Sequence, residues 1–132
     1  MQSSMRIHLN RRLALMFLLV AGCGPQIPDE FTVSGQPLEH WLEALGDQQT
    51  SVRLRAVRAL GNVGPEVPEV VEALSAALSD PEPEVRLQVA QSLLKFGPGA
   101  REAIPALTAA RADSDEQVRS LVEKALERIE VN

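Results

Sequence analysis

The strongest constraint on the fold is an internal repeat with a period of 33 residues. Asp47, Asp80 and Asp113 each begin a similar segment, and the three starts are evenly spaced at that period. A fixed period of this size is typical of stacked helical units. Each such unit relies on its neighbours to bury its apolar side, so the repeat predicts a stack of helices.

The similarity between the segments falls at a few positions that recur in register. Trp41 lies one period before Leu74, so a half-unit precedes the first full unit. The recurring positions are the pairs Val52-Arg53, Val85-Arg86 and Val118-Arg119, the residues Leu60, Leu93 and Leu126, the pairs Gly64-Pro65 and Gly97-Pro98, and the residues Leu74 and Leu107.

Each unit is predicted to contain two helices. Val52, Ala56 and Leu60 have the spacing of one helix face, and the same positions are apolar in the next two units. The Gly-Pro pair then favours a left-handed glycine followed by a residue that stops the helix. A second apolar pattern follows, with Pro68 or Pro105 in or near its first turn, where a missing N–H costs little. We therefore expect six helices between about residues 37 and 130.

This pattern resembles the HEAT repeat family, in the short bacterial form also seen in phycobilisome lyase-like proteins. The resemblance covers residues 36–130 and is carried by the three aspartates, the Val-Arg pairs and the Gly-Pro turns. It implies an all-α fold, a short right-handed α-solenoid of antiparallel helices whose second helices line the concave side. The third unit departs from the pattern because it stops after its first helix.

Three arginines, one in each unit, are candidates for a line of anion sites or for a structural role. Arg53, Arg86 and Arg119 each follow the aspartate of their unit by six residues, a separation that lets the side chain return to the turn. This spacing favours the structural interpretation. In the resembling proteins, the Arg and the Asp form a hydrogen-bonded ladder between units, which here implies the set Asp47, Arg53, Asp80, Arg86, Asp113 and Arg119.

The N-terminal segment has the pattern of an export signal. Arg6, Arg11 and Arg12 precede the uncharged run LALMFLLVAG at residues 13–22, and no acidic residue occurs before Asp29. A helix needs about 20 apolar residues to cross a bilayer, so this run is too short. It predicts a signal peptide over residues 1–22, with a buried N-terminal helix as the alternative.

The only cysteine follows that run directly. The sequence VAGC at residues 20–23 resembles the lipobox of bacterial lipoproteins, which implies a diacylglyceryl group on the sulfur of Cys23 and cleavage before it. Several acyl chains on one residue hold a protein at a membrane far better than one chain. The predicted location is therefore the bacterial cell envelope, with Gly24 favouring the outer membrane, after export by the Sec route or, given Arg11-Arg12, the Tat route.

The segment after the cysteine is predicted to be a tether. Residues 24–37 contain three prolines and two glycines and have no helical period. This composition is typical of an extended linker. The predicted organisation is a signal peptide at 1–22, a lipidated N-terminus and flexible linker at 23–36, and a repeat domain at 37–130.

The charge balance and the scarcity of reactive residues disfavour several functions. Three of the 13 basic residues and none of the 18 acidic residues lie before residue 23, so the remainder has a net charge of −8 and would repel nucleic acid. His40 is the only histidine outside the leader, and one histidine is too few for a metal site. No nucleophile has a neighbouring base. We expect no catalysis, no cofactor and no bound metal.

The sequence thus predicts a non-catalytic protein-binding module or scaffold, with an accessory or lyase-like subunit of an enzyme system as the alternative. The family's concave side would place Glu69, Glu72, Glu102 and Arg111 at the border of a groove, as candidate contacts for a partner. The acidic residues there are also compatible with a solvated face, a cation patch or a basic partner. The partners expected are a protein and, through Cys23, membrane lipid.

Overall fold

The computed structural model describes residues 32–131. Six α-helices lie between residues 38 and 130 of this part, as the sequence predicted, and the predicted all-α solenoid is confirmed. The leader, Cys23 and the linker up to residue 31 lie outside the described residues. The elements are β1 (Thr32–Val33), β2 (Gln36–Pro37), α1 (Leu38–Ala44), α2 (Thr50–Val63), α3 (Pro68–Ala77), α4 (Pro83–Phe96), a 3-10 helix (Gly97–Ala103), α5 (Ile104–Ala110) and α6 (Glu116–Glu130).

The helices form two layers that follow the repeat. The first helices of the units, α2, α4 and α6, pack side by side, and α1, α3 and α5 are the second helices. One hydrophobic core runs between the layers, and its members occupy the same register in each unit. The fully buried leucines illustrate this, with Leu60, Leu93 and Leu126 from the first helices and Leu74 and Leu107 from the second.

The Gly-Pro pairs end the first helices through a conformation that only glycine adopts easily. Gly64 has φ = 98° and ψ = 176°, and Gly97 has φ = 56° and ψ = −134°. The expected positive φ is present, but neither ψ lies in the left-handed helical region. A following proline pushes the residue before it away from helical ψ values, which explains the difference.

The two units differ in how their second helix begins. In the first unit, α3 starts at Pro68, whereas in the second unit a 3-10 helix connects α4 to α5. Ala103, which has an apolar position just before Pro105, belongs to the 3-10 segment. Pro105 lies in the first turn of α5, where its missing N–H removes no intrahelical bond, so the α-helix begins beside it.

The sequence predicted a flexible linker up to residue 36, and the structure differs over residues 32–36. There, Thr32 pairs with Pro37 and Val33 with Gln36 in a short antiparallel hairpin. The Val33 side chain is buried, and its carbonyl oxygen accepts a hydrogen bond of 2.7 Å from the indole N–H of Trp41. A partly buried indole needs such an acceptor. Trp41 has the position that leucine occupies in the later units, and its hydrogen bond also fixes the hairpin.

Candidate protein-binding surface

Two arginines connect successive units by bridging from one turn to the next. Arg53 Nη1 donates to the backbone oxygen of Asp47 at 2.8 Å, which holds the side chain against its own turn. Its Nε and Nη2 donate to the two carboxylate oxygens of Asp80 in the next unit, at 2.8 and 3.2 Å. This two-bond pairing of guanidinium and carboxylate fixes geometry as well as contributing attraction.

The second bridge repeats the first. Arg86 Nη1 donates to the backbone oxygen of Asp80 at 2.8 Å, and Nε and Nη2 donate to Asp113 at 2.8 and 3.0 Å. Burial alone would raise the pKa of the Asp113 carboxyl, but hydrogen bonds from Arg86 and from the Asp115 backbone N–H outweigh it, and the pKa is lowered. The two bridging arginines therefore bind carboxylates of the chain itself. We name the repeated residues Asp47, Arg53, Asp80, Arg86, Asp113 and Arg119 the Arg–Asp ladder.

The third ladder arginine differs from the other two. Arg119 Nη1 donates to the backbone oxygens of Asp113 and Ser114 at 2.7 and 3.2 Å, as its counterparts do in their own turns. Within residues 32–131, however, no carboxylate accepts a hydrogen bond from its Nε or Nη2. The structure thus brings together Arg53 with Asp80 and Arg86 with Asp113, and leaves Asp47 and Arg119 at the two ends.

The predicted contact residues all lie on the side of the second helices. We define the second-helix surface as the exposed residues of α1, α3, α5 and the 3-10 helix. Glu69 and Glu72 lie on one stripe of α3 with Ala73 and Ala76, at the i, i+3, i+4, i+7 spacing of a helix face. Glu102 is exposed in the 3-10 helix, one repeat after Glu69.

Arg111, the residue that follows α5, has an ion-pair partner within the chain. Its Nε lies 3.0 Å from Glu123 Oε1 of α6, and both side chains are about half exposed, at 49% and 50%. Such exposed pairs contribute little to stability and exchange partners readily. Arg111 therefore reduces the negative charge at the α5 end of the second-helix surface.

Two shallow depressions mark this surface, and they are copies of each other. The N-terminal depression, about 400 Å³, lies between α1 and α3, and the C-terminal one, about 230 Å³, lies between α3 and α5. Each residue that lines the second lies 33 positions after one that lines the first. The first is lined by Leu42, Leu45, Gly46, Ala73, Ala76, Ala77, Ser79 and Asp80, and the second by Ser75, Leu78, Ser79, Ala106, Ala109, Ala110, Ala112 and Asp113.

Part of this surface was not predicted from the sequence. Glu39 and Glu43 of α1 are exposed and lie in register with Glu72 and Ala76 of α3, so they extend the acidic stripe. The alanines that line the depressions were not predicted either. The 33-residue register contains the signal for both, because it places all these positions on equivalent turns of the second helices.

The opposite side of the molecule has a different character. A depression of about 330 Å³ between α2 and α4 is lined by Arg58, Gly61, Asn62, Gln88, Gln91, Ser92 and Lys95. Its polar side chains interact, since Arg58 Nε donates to Gln88 Oε1 at 3.3 Å. No carboxylate lines this site.

The remaining candidate residue of the sequence, His40, lies in α1. His40 packs edge-on against Trp41, with ring centroids 4.9 Å apart. No group of three or more His, Cys, Asp or Glu side chains in residues 32–131 is arranged to hold a metal ion. Nor does any helix in this range combine the length and the apolar character needed to span a bilayer.

Comparison with known proteins supports the repeat architecture. The family model described as HEAT repeats matches residues 38–127. A designed armadillo repeat protein, solved in complex with the peptide (KR)4, is similar with a TM-score of 0.57 and 23% identity over 70% of this chain and 46% of its own. No curated protein matches the chain closely enough to count as a relative.

Two engineered proteins of the Northeast Structural Genomics Consortium are also similar. Their TM-scores are 0.53 and 0.52, with 23% and 24% identity over 70% of this chain. The match covers 27% and 44% of those proteins, so this chain spans less than half the length of each of the three structures. At such identities the likeness shows the fold alone.

Proposed function

Because this chain belongs to the HEAT repeat family, we propose that it is a non-catalytic binding module whose second-helix surface holds a basic segment of another protein. HEAT and armadillo repeats generally mediate protein–protein interaction. The observation that carries the proposal is the pair of register-equivalent depressions, which a stripe of exposed glutamates borders. A repeated site of this kind suits a ligand that is itself repetitive and extended.

The spacing of the depressions defines the ligand further. Neighbouring packed helices lie about 8–10 Å apart, and an extended peptide advances about 3.3 Å per residue. Side chains about three residues apart in a bound segment would therefore meet equivalent places on α1, α3 and α5. Small alanine side chains allow the peptide backbone to approach, while Glu39, Glu43, Glu69, Glu72 and Glu102 supply negative charge around it.

A basic ligand is favoured by charge and supported by analogy. Asp80 and Asp113, which also line the depressions, are paired with ladder arginines, so the glutamates are the groups left to attract cations. The similar armadillo repeat protein was solved with an alternating Lys-Arg peptide. The shared fold makes that peptide a suitable probe for this chain.

The test is binding of a fluorescent (Lys-Arg)4 peptide, followed by anisotropy at two salt concentrations. We expect binding that weakens as salt increases, because the attraction is largely between exposed charges. Double reversal by Glu69→Lys and Glu72→Lys should abolish it. The matched control reverses Glu84 and Glu127, which are exposed on the first helices, and should leave the binding close to that of the parent.

Two outcomes would contradict this function. Equal loss with both pairs of reversals would mean that net charge alone attracts the peptide, without a site on the second helices. Capture of a pigment or small substrate that is chemically changed during a membrane pull-down would instead favour the accessory or lyase-like subunit.

We further propose that the module is tethered to the bacterial cell envelope through an acylated Cys23. Support comes from the basic lead, the apolar run and the VAGC sequence at residues 20–23. The chain between Cys23 and Thr32 could reach about 30 Å at full extension, so the repeat domain would stay near the lipid. The proposed limits are 1–22 for the signal peptide and 23–31 for the tether, because the hairpin begins at Thr32.

The tether is tested by Cys23→Ser, which should release the protein from washed membranes and abolish labelling by a palmitate analogue. The matched control is Ser34→Cys combined with Cys23→Ser, which restores one thiol at another exposed place. A serine variant that stays on membranes after its leader has been removed would contradict lipidation. Separation of inner from outer membranes then tests the outer-membrane assignment.

A further inference from the structure

The two ends of the Arg–Asp ladder are complementary halves of the bridge that joins the units inside the molecule. Arg119 is held by two backbone carbonyls at 2.7 and 3.2 Å, almost the same distances as for Arg86 at 2.8 and 3.2 Å. Its guanidinium therefore has the orientation in which Arg86 binds the carboxylate of Asp113. Among the described residues, that edge of Arg119 has no acceptor.

Asp47 provides the opposite half. Its Oδ1 accepts a hydrogen bond from the backbone N–H of Gln49 at 2.8 Å, and Asp80 and Asp113 accept the equivalent bond at 2.9 Å. The turn that presents the carboxylate is thus the same in all three units. Asp80 and Asp113 each also receive an arginine from the preceding unit, whereas no arginine among residues 32–131 donates to the Asp47 carboxylate.

We propose that copies of this chain associate head to tail, with Arg119 of one copy binding Asp47 of the next. In this arrangement α6 of the first copy stacks on α2 of the second, as α2 stacks on α4 within one chain. The helix order also continues, because α6 is a first helix and α1 of the next copy is a second helix. The contact joins two different surfaces, so it adds copies in one direction instead of forming a two-fold symmetric dimer.

One position limits the strength of this contact. Inside the chain, Arg58 of one unit lies beside Gln88 of the next. Lys124 has the repeat position of Arg58, and Arg55 has that of Gln88, so the same stacking between copies would place Lys124 beside Arg55. Two like charges there oppose association. A single partly exposed ion pair also adds little by itself. The association is consequently weak and depends on concentration.

The test compares sedimentation of the full chain, in a mild detergent, with that of two charge-reversed variants. Parent protein should sediment faster as its concentration is increased. Arg119→Asp and Asp47→Arg should each weaken this association by about tenfold or more, since each variant opposes two like charges. An equimolar mixture of the two variants should recover it, because one native and one reversed pair can then form.

Two further variants separate a specific contact from a folding defect. Asp47→Asn keeps the oxygen that accepts from Gln49 but removes the charge, so it should weaken association with an unchanged circular dichroism spectrum. Lys124→Glu should strengthen association, because it converts the repulsion with Arg55 into attraction. Identical sedimentation of the parent and of Arg119→Asp at all concentrations, or failure of the mixture to recover association, would overturn the proposal.

Discussion

The two layers of this solenoid are built from the same repeat but differ in length and packing. The first helices have 14, 14 and 15 residues, whereas the second helices have 7, 10 and 7. The long helices approach closely, since a Cβ added at Gly61 would lie 2.6 Å from Ser92 Oγ. The short helices leave the two alanine-lined depressions between them. The close approach at Gly61 and the proposed binding surface thus lie in different layers.

The layers also differ in surface charge. The first helices expose both signs of charge, whereas the exposed charged residues of α1 and α3 are all glutamates: Glu39, Glu43, Glu69 and Glu72. The first helices carry Arg55, Arg58, Lys95, Lys124 and Arg128 together with Glu84, Glu116, Glu123, Glu127 and Glu130. Exposed positions of α1 and α3 can therefore carry one sign of charge without altering the packing.

The largest effect should come from the core below the first layer. Leu93 of α4 is fully buried, so Leu93→Ala should lower the free energy of unfolding by about 2–5 kcal/mol through lost burial and a residual cavity. Urea unfolding followed by circular dichroism measures this. The matched control Ala76→Ser on the exposed side of α3 should change little. Equal losses would contradict a dominant contribution of the buried core.

A smaller loss should follow when one rung of the Arg–Asp ladder is removed. Arg86→Ala leaves the Asp113 carboxylate, whose side chain is only 7% exposed, without its main partner. We expect about 1–2 kcal/mol of destabilisation and a lower melting temperature. The control is Arg58→Ala, which removes an exposed arginine of α2. An unchanged melting curve for Arg86→Ala would contradict a structural role for the ladder.

The ladder should also give stability a defined dependence on pH. The folded-state pKa of Asp113 is lowered, so its contribution is present above the unfolded-state pKa of about 4 and is lost as pH falls through the folded value. The difference in unfolding free energy between the parent and Asp113→Asn should therefore be largest near pH 6 and shrink below about pH 4. Urea unfolding at several pH values tests this, and a constant difference would contradict it.

The smallest effect on stability is expected for the proposed binding residues. Glu72→Lys changes an exposed side chain of α3 without removing a core contact, so the free energy of unfolding should stay within about 0.5 kcal/mol of the parent. Thermal unfolding of this variant is the measurement. A larger loss would mean that the second-helix surface is part of the stabilising framework, and the separation between layers would no longer hold.

Much of the fold follows from the sequence because the repeat supplies several independent signals in one register. Leu60, Leu93 and Leu126 predicted one buried stripe, and the Gly-Pro pairs predicted where two first helices end. The hairpin could not be predicted in the same way. Only two pairs form, Thr32 with Pro37 and Val33 with Gln36, which is too few for an alternating pattern, and the carbonyl of Val33 is bound by the distant Trp41.

The candidate site was predicted only in part, and for a physical reason. Helical spacing places Glu69 and Glu72 on one stripe, but it does not show that the short second helices leave room between them. That room depends on the distance between helices in the folded chain, which the local sequence pattern does not give. Likewise, the ion pair of Arg111 with Glu123 joins the residue after α5 to α6, so spacing within one helix could not predict it.

The ladder has a consequence for how such a chain can change its length. Arg53 and Arg86 each find their carboxylate in the following unit, and every unit carries one such arginine and one such aspartate at fixed positions. A duplication or deletion of 99 nucleotides, begun at any point in the register, would therefore leave each internal partnership intact. A change within the array that is not a multiple of 99 nucleotides would shift an arginine against its carboxylate. The ladder makes one whole unit the smallest step by which this architecture can grow or shrink.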